Sequence, residues 1–88
     1  MKKTAKLIKA DLNDFTGNAC LYKVNPPIEK NKYVIASSVI APFSGEETLL
    51  FPAFKNGEVK SWSELDGSQR GTMSHTLVFE EIGYKTIV

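Results

Sequence analysis

The chain is nearly empty of the residues that build reactive centres and cross-links. Cys20 is its only cysteine, so no disulfide can close within it. That usage fits a reducing compartment, and a cytoplasmic location is expected. His75 is its only histidine. One Cys and one His cannot complete a zinc site of the usual Cys/His type, so no metal or other cofactor is expected. Arg70 is the lone arginine among 11 basic residues. Sequence-specific reading of DNA favours the two-pronged arginine fork, and a lysine-based chain is poorly equipped for it. No apolar run approaches the ~18–20 residues of a membrane span. Behind Met1-Lys2-Lys3, the residues Lys6, Lys9 and Asp11 interrupt the stretch a signal peptide needs. A charge excess is missing too. The formal net charge is +1, which gives no whole-molecule attraction to polyanions or anionic membranes.

What is present is an ordinary globular composition. The 88 residues, 42% hydrophobic, suffice for one modest core, and residues 1–88 read as a single domain. A domain of this size buries roughly 60–65% of the surface of its unfolded chain, which leaves little room for a deep enclosed site.

Residues 5–12 read as a first, exposed edge strand, with Lys6 and Lys9 suited to a solvated edge. The Asn13–Asn18 stretch is rich in turn formers. Residues 19–24 alternate as a strand, with Cys20, Tyr22 and Val24 on one face. Pro26 and Pro27 are expected to stop it and open a loop. Residues 32–41 are the strongest strand, apolar on both faces, with Ser37-Ser38 as a candidate bulge. Residues 48–54 form the next strand, and Pro52 places its end at an edge. Asn56-Gly57 fits a type I′ hairpin turn into a short return strand at 59–62. Ser61 and Glu64 have capping-box spacing and predict one helical turn. Residues 67–72 read as a mobile, polar loop. A helix is expected over 73–82, capped by Thr72 and closed by Gly83 with Tyr84 as the contact beyond it. A last short strand follows at 84–88. The fold class is therefore α+β: an antiparallel sheet of four to five strands with one C-terminal helix packed on one face.

Three segments together, Phe15–Tyr22, Phe43–Thr48 and Trp62–Gly67, resemble a type of small phage or prophage protein. The ending from Ser74-His75 to Gly83-Tyr84 fits the same resemblance. It spans most of the chain. It implies a phage-encoded accessory protein and carries no activity and no site residue.

Cys20 and His75 form a nucleophile–base pair only if the fold joins them. The commoner reading is a small buried cysteine and an exposed histidine in the helix first turn. The stretch from Gly67 to Ser74, with Arg70 and Thr72, resembles an anion cradle at a helix start. It lacks the Gly-Lys-Ser/Thr ending of a P-loop, and an ordinary connector is the commoner reading. Glu46-Glu47 and Glu80-Glu81 are adjacent residues whose side chains diverge. Lys2, Lys3, Lys6 and Lys9 can touch nucleic acid non-specifically, with Tyr22, Tyr33 or Trp62 as stacking partners, although a solubilising edge is commoner.

The remaining signal is apolar excess. Residues 32–41 and 48–54 carry more apolar side chains than one helix can cover. The second sheet face must meet a loop, a second copy or a partner. The reading is a non-enzymatic binding protein that acts through protein–protein association or self-association. Trp62, Phe54 and Arg70 are the expected anchors, because aromatics and arginine dominate interface hot spots. A nucleic-acid-binding module using the lysine-rich N-terminus is the alternative.

Overall fold

The computed structural model describes residues 2–12, 17–43 and 45–87. The elements run β1 (Thr4–Lys9), β2 (Asn18–Ile28), β3 (Asn31–Ala41), β4 (Gly45–Ala53), β5 (Gln69–Arg70), α1 (His75–Glu81) and β6 (Lys85–Ile87). They form one curled sheet of six strands in the order β5-β4-β3-β2-β1-β6. The α+β class with one C-terminal helix stands. The purely antiparallel sheet of four to five strands does not, because β6 pairs with β1 in parallel.

That pairing also corrects the place of β1. It is an interior strand between β2 and β6. The cause lies at the end of α1. Gly83, at φ 86°, donates to the Glu80 carbonyl at 2.9 Å, and the Tyr84 amide reaches back to Phe79 O at 2.8 Å. This left-handed exit turns the chain onto the sheet, where the Lys85 amide meets Lys3 O at 2.8 Å. The helix cap is Ser74, whose hydroxyl accepts from Leu77 N, rather than Thr72. Thr72 Oγ1 instead accepts from Ser74 N at 3.0 Å.

The two prolines do not end β2. Between the pairs Lys23↔Tyr33 and Ile28↔Asn31, β2 carries Val24 to Pro27 while β3 carries only Lys32. Pro26 and Pro27 sit in this bulge, where a missing donor costs no ladder bond. The Asn25-Pro26 peptide is cis, and Pro26 O accepts the Tyr84 hydroxyl at 2.6 Å. The type I′ signature falls on Glu29 and Lys30, at φ 46° and 71°, and not on Asn56-Gly57. There the loop is one residue longer: Gly57 N donates to Phe54 O and Phe54 N to Glu58 O, with only Gly57 left-handed. Ser37-Ser38 makes no bulge, since the β3–β4 register runs unbroken from Tyr33↔Ala53 to Ala41↔Gly45. The Ser61–Leu65 segment forms bends and not a helical turn. Ser61 Oγ takes up Ser63 N, and Leu65 N is held by Leu50 O.

Strand alternation sorts the core into two clusters. Under α1 lie Cys20, Tyr22, Val24, Val34, Ala36 and Leu50, packed on Val78 and Phe79. On the opposite face lie Leu12, Ala19, Leu21, Ile35 and Ala53, flanked by Tyr33 and Val59. The cover demanded by the second face is thus partly the chain's own. The 54–58 hairpin folds over it, so that a Cβ on Gly57 would stand 3.6 Å from Leu12 Cδ2 and 3.9 Å from Leu21 Cδ2.

The outer edge of β4 is closed without a full strand. β5 pairs with Glu47 and Thr48. Ser68 Oγ accepts from Leu50 N at 2.9 Å, Leu65 N donates to Leu50 O at 2.7 Å and Lys60 N to Pro52 O at 2.8 Å. Pro52, which has no N–H, presents its nitrogen on this outer side, as an edge position requires.

Candidate functional site

The three expected anchors all flank the outer side of β4. Trp62 follows the segment bonded to Pro52 and Ala53, and its ring stands edge-on to Phe51 at 5.5 Å. Trp62 remains 66% exposed, whereas Phe51 is buried beneath it. Phe54 follows β4 at 49% exposure, with Lys60 Nζ 5.4 Å above its ring. Arg70 lies opposite Glu47, and its Nε meets the Glu47 carboxylate at 3.3 Å. Glu47 and Phe51 project from the same face of β4, four residues or about 13 Å apart. Arg70 and Trp62 therefore sit at two ends of one strip. Ile40 and Phe43, at the far end of the β3–β4 hairpin, are further exposed apolar side chains.

Cys20 and His75 are not arranged as a nucleophile and base. The cysteine is buried under α1, its Sγ 3.9 Å from Asn18 Oδ1. His75 is buried too, which corrects the exposed position expected of it. Its Nε2 lies 3.1 Å from the Asn18 carbonyl, which can only accept. Nε2 therefore carries the proton, and Nδ1 accepts from the Tyr22 hydroxyl at 3.3 Å. Burial holds the imidazole below its usual pKa, partly offset by the Asn18 carbonyl. Burial likewise pushes the Tyr22 phenol up to about 12. This is a neutral pair that fastens α1 to β2. Among the described residues, no group of three or more His, Cys, Asp and Glu side chains is placed to hold a metal ion.

The Gly67–Ser74 loop is bonded into the fold through several of its backbone groups. Gly71 N donates to Glu46 O at 2.6 Å, and Thr72 O and Met73 O accept the hydroxyls of Thr48 and Ser38. The loop expected to be mobile is a strap across the ends of β3 and β4. Glu46 and Glu47 diverge, as their adjacency requires.

The lysines are distributed unevenly. β1, β2 and β6 contain Lys6, Lys9, Lys23 and Lys85 and no carboxylate. β4 contains Glu46 and Glu47. Lys6 lies directly opposite Lys23, and Lys23 directly opposite Tyr33. Tyr33 belongs to the cluster away from α1, so the row Lys6–Lys23–Tyr33 faces away from the helix. The lysine-rich N-terminus was legible in the sequence, but its continuation through Lys23 and Lys85 was not, because strand register set it.

No helix of the described residues is long and apolar enough to cross a membrane. No protein-family model, no curated protein and no solved structure matches the chain.

Proposed function

We propose that this is a non-enzymatic, cytoplasmic binding protein that acts through protein–protein association, with Trp62 as its principal anchor. The phage resemblance of its sequence supports an accessory role encoded by a phage. The observation that carries the reading is that Trp62 is held edge-on by Phe51 and still leaves 66% of its surface to solvent. A large ring already fixed in place loses little conformational freedom on docking, which is the property of a hot-spot residue. Phe54 and Arg70 extend the strip on either side. Arg70 is more than half exposed even while paired, which leaves donors of its guanidinium for a partner carboxylate.

The test is Trp62→Ala. Its melting temperature should stay within about 3 °C of the parent, because an exposed side chain contributes little to the core. Association should weaken at least tenfold, read by sedimentation for self-association and by quantitative capture for a host protein. If the variant unfolds, Trp62 is structural and the anchor role fails. If it folds and association is unchanged, the strip is not the interface.

A further inference from the structure

The strand register assembles a cationic surface away from the Trp62 strip. Across the face opposite α1, one row runs Ile87–Lys6–Lys23–Tyr33 through β6, β1, β2 and β3. Two residues along the strands, a second row runs Lys85–Thr4–Asn25. Lys6 and Lys23 are direct cross-strand neighbours of like charge, an arrangement that costs stability unless something compensates it. Among the described residues, no carboxylate pairs with Lys6, Lys23 or Lys85.

Two shallow depressions flank these rows. One, of about 490 Å³, is lined by Lys2, Lys3, Thr4, Gly83 and Lys85. The other, of about 460 Å³, is lined by Lys23, Asn25, Pro27, Lys32 and Tyr33 among others. Among the described residues, no acidic side chain lines either one. Successive strands lie ~4.8 Å apart, so the path from β6 to β3 is about 14 Å long. It has Lys85 at the β6 end, Lys6 and Lys23 in the middle and Tyr33 at the β3 end.

We propose that this face binds single-stranded nucleic acid without sequence preference, its phosphates tracking Lys85, Lys6 and Lys23 and a base stacking on Tyr33. A polyanion supplies the missing counter-charge for the Lys6–Lys23 pair. A half-buried tyrosine at the end of a lysine row suits a base better than it suits an acidic peptide, because every base offers a π-face. Lysine in place of arginine matches contact to phosphate rather than to base edges. The near-zero net charge is no obstacle, because β1, β2 and β6 carry no carboxylate, whereas Glu46 and Glu47 lie on β4 and Glu80 and Glu81 on α1.

The probe is a fluorescein-labelled oligodeoxythymidine of 20 nucleotides, followed by anisotropy from 50 to 200 mM salt. Binding should fall with a log–log slope of about −0.7 per phosphate neutralised. The exposed pair Lys6→Gln/Lys23→Gln should lower affinity at least tenfold and flatten the slope by about 1.4. Arg70→Gln, on β5 at the opposite edge of the sheet, should leave binding within twofold. Tyr33→Leu keeps an apolar contact to the second core cluster and should weaken the oligonucleotide several-fold while leaving polyglutamate unaffected. Three results would each overturn the proposal: no salt-dependent binding, a loss in Arg70→Gln as large as in the lysine double variant, or binding of polyglutamate as tight as that of the oligonucleotide. A preference for the double-stranded form would overturn it as well. Trp62→Ala should not alter oligonucleotide binding, which keeps this test separate from that of the association strip.

Discussion

Removing one hydroxyl from the strap over β3 and β4 should cost more than its size suggests. Ser38 and Thr48 are both fully buried, with their oxygens 2.8 Å apart. Ser38 Oγ also lies 3.0 Å from Met73 O, and Thr48 Oγ1 lies 2.8 Å from Thr72 O. Each side chain owns one proton, so two protons serve three short contacts. Thr48→Val keeps the shape and removes one of those protons. Ser38 retains its bond to Met73 O, and Thr72 O loses its hydroxyl donor. The loss is therefore one hydrogen bond plus part of the desolvation of a carbonyl, about 1.5 kcal/mol. For a domain of this length that corresponds to a fall in melting temperature of roughly 6–12 °C. Urea unfolding at 25 °C should show a lower midpoint with an unchanged m-value. Ser38→Ala should behave alike by stranding Met73 O. A Thr48→Val protein within about 0.3 kcal/mol of the parent would refute the claim that these hydroxyls hold the strap.

Acidification should destabilise the fold through His75. Its folded pKa is lowered by burial, so the unfolded chain takes up the proton first as pH drops. Stability is complete above the unfolded value of about 6.5 and declines as pH falls through it, until the folded imidazole also titrates. Unfolding free energies from pH 8 to 5 should show this decline, and His75→Gln should flatten it. Gly17→Ala should destabilise by about 2 kcal/mol or more, because the added methyl would drive into the Ser38 carbonyl and within 2.8 Å of Val39 Cγ1. A denaturation curve that overlays the parent would show that the neighbouring backbone yields more easily than its packing suggests.

How much of this was legible in the residues depended on how local each cause was. The β-branched residues of β3 and the apolar run Leu49–Phe51 of β4 marked those strands, and Gly83 with Tyr84 marked the end of α1, because each signal acts within a few residues. The prolines misled. A donor is needed only where a partner strand stands opposite, and the β2 bulge removes that partner. The parallel partner of β1 was invisible because no local pattern announces a strand from the other end of the chain. Trp62, Phe54 and Arg70 were singled out by residue type, and their solvent exposure fits that choice. His75 was misplaced because a lone polar residue gives no hint that Tyr22 and the Asn18 carbonyl await it. Hydrophobicity alone did not say which residues of the apolar excess face water, and the structure exposes Ile40.

The closed flank of β4 makes the molecule lopsided as a template. A visiting strand finds no free run of main-chain groups beside Leu50 or Pro52, since Ser68, Leu65 and Lys60 already occupy them. The outermost strands are the two-residue β5 and the three-residue β6, and these short borders carry Arg70 and Lys85. Stray hydrophobic β-segments are thus turned away on one flank and met by a cation on the other, a defence against fibrous stacking.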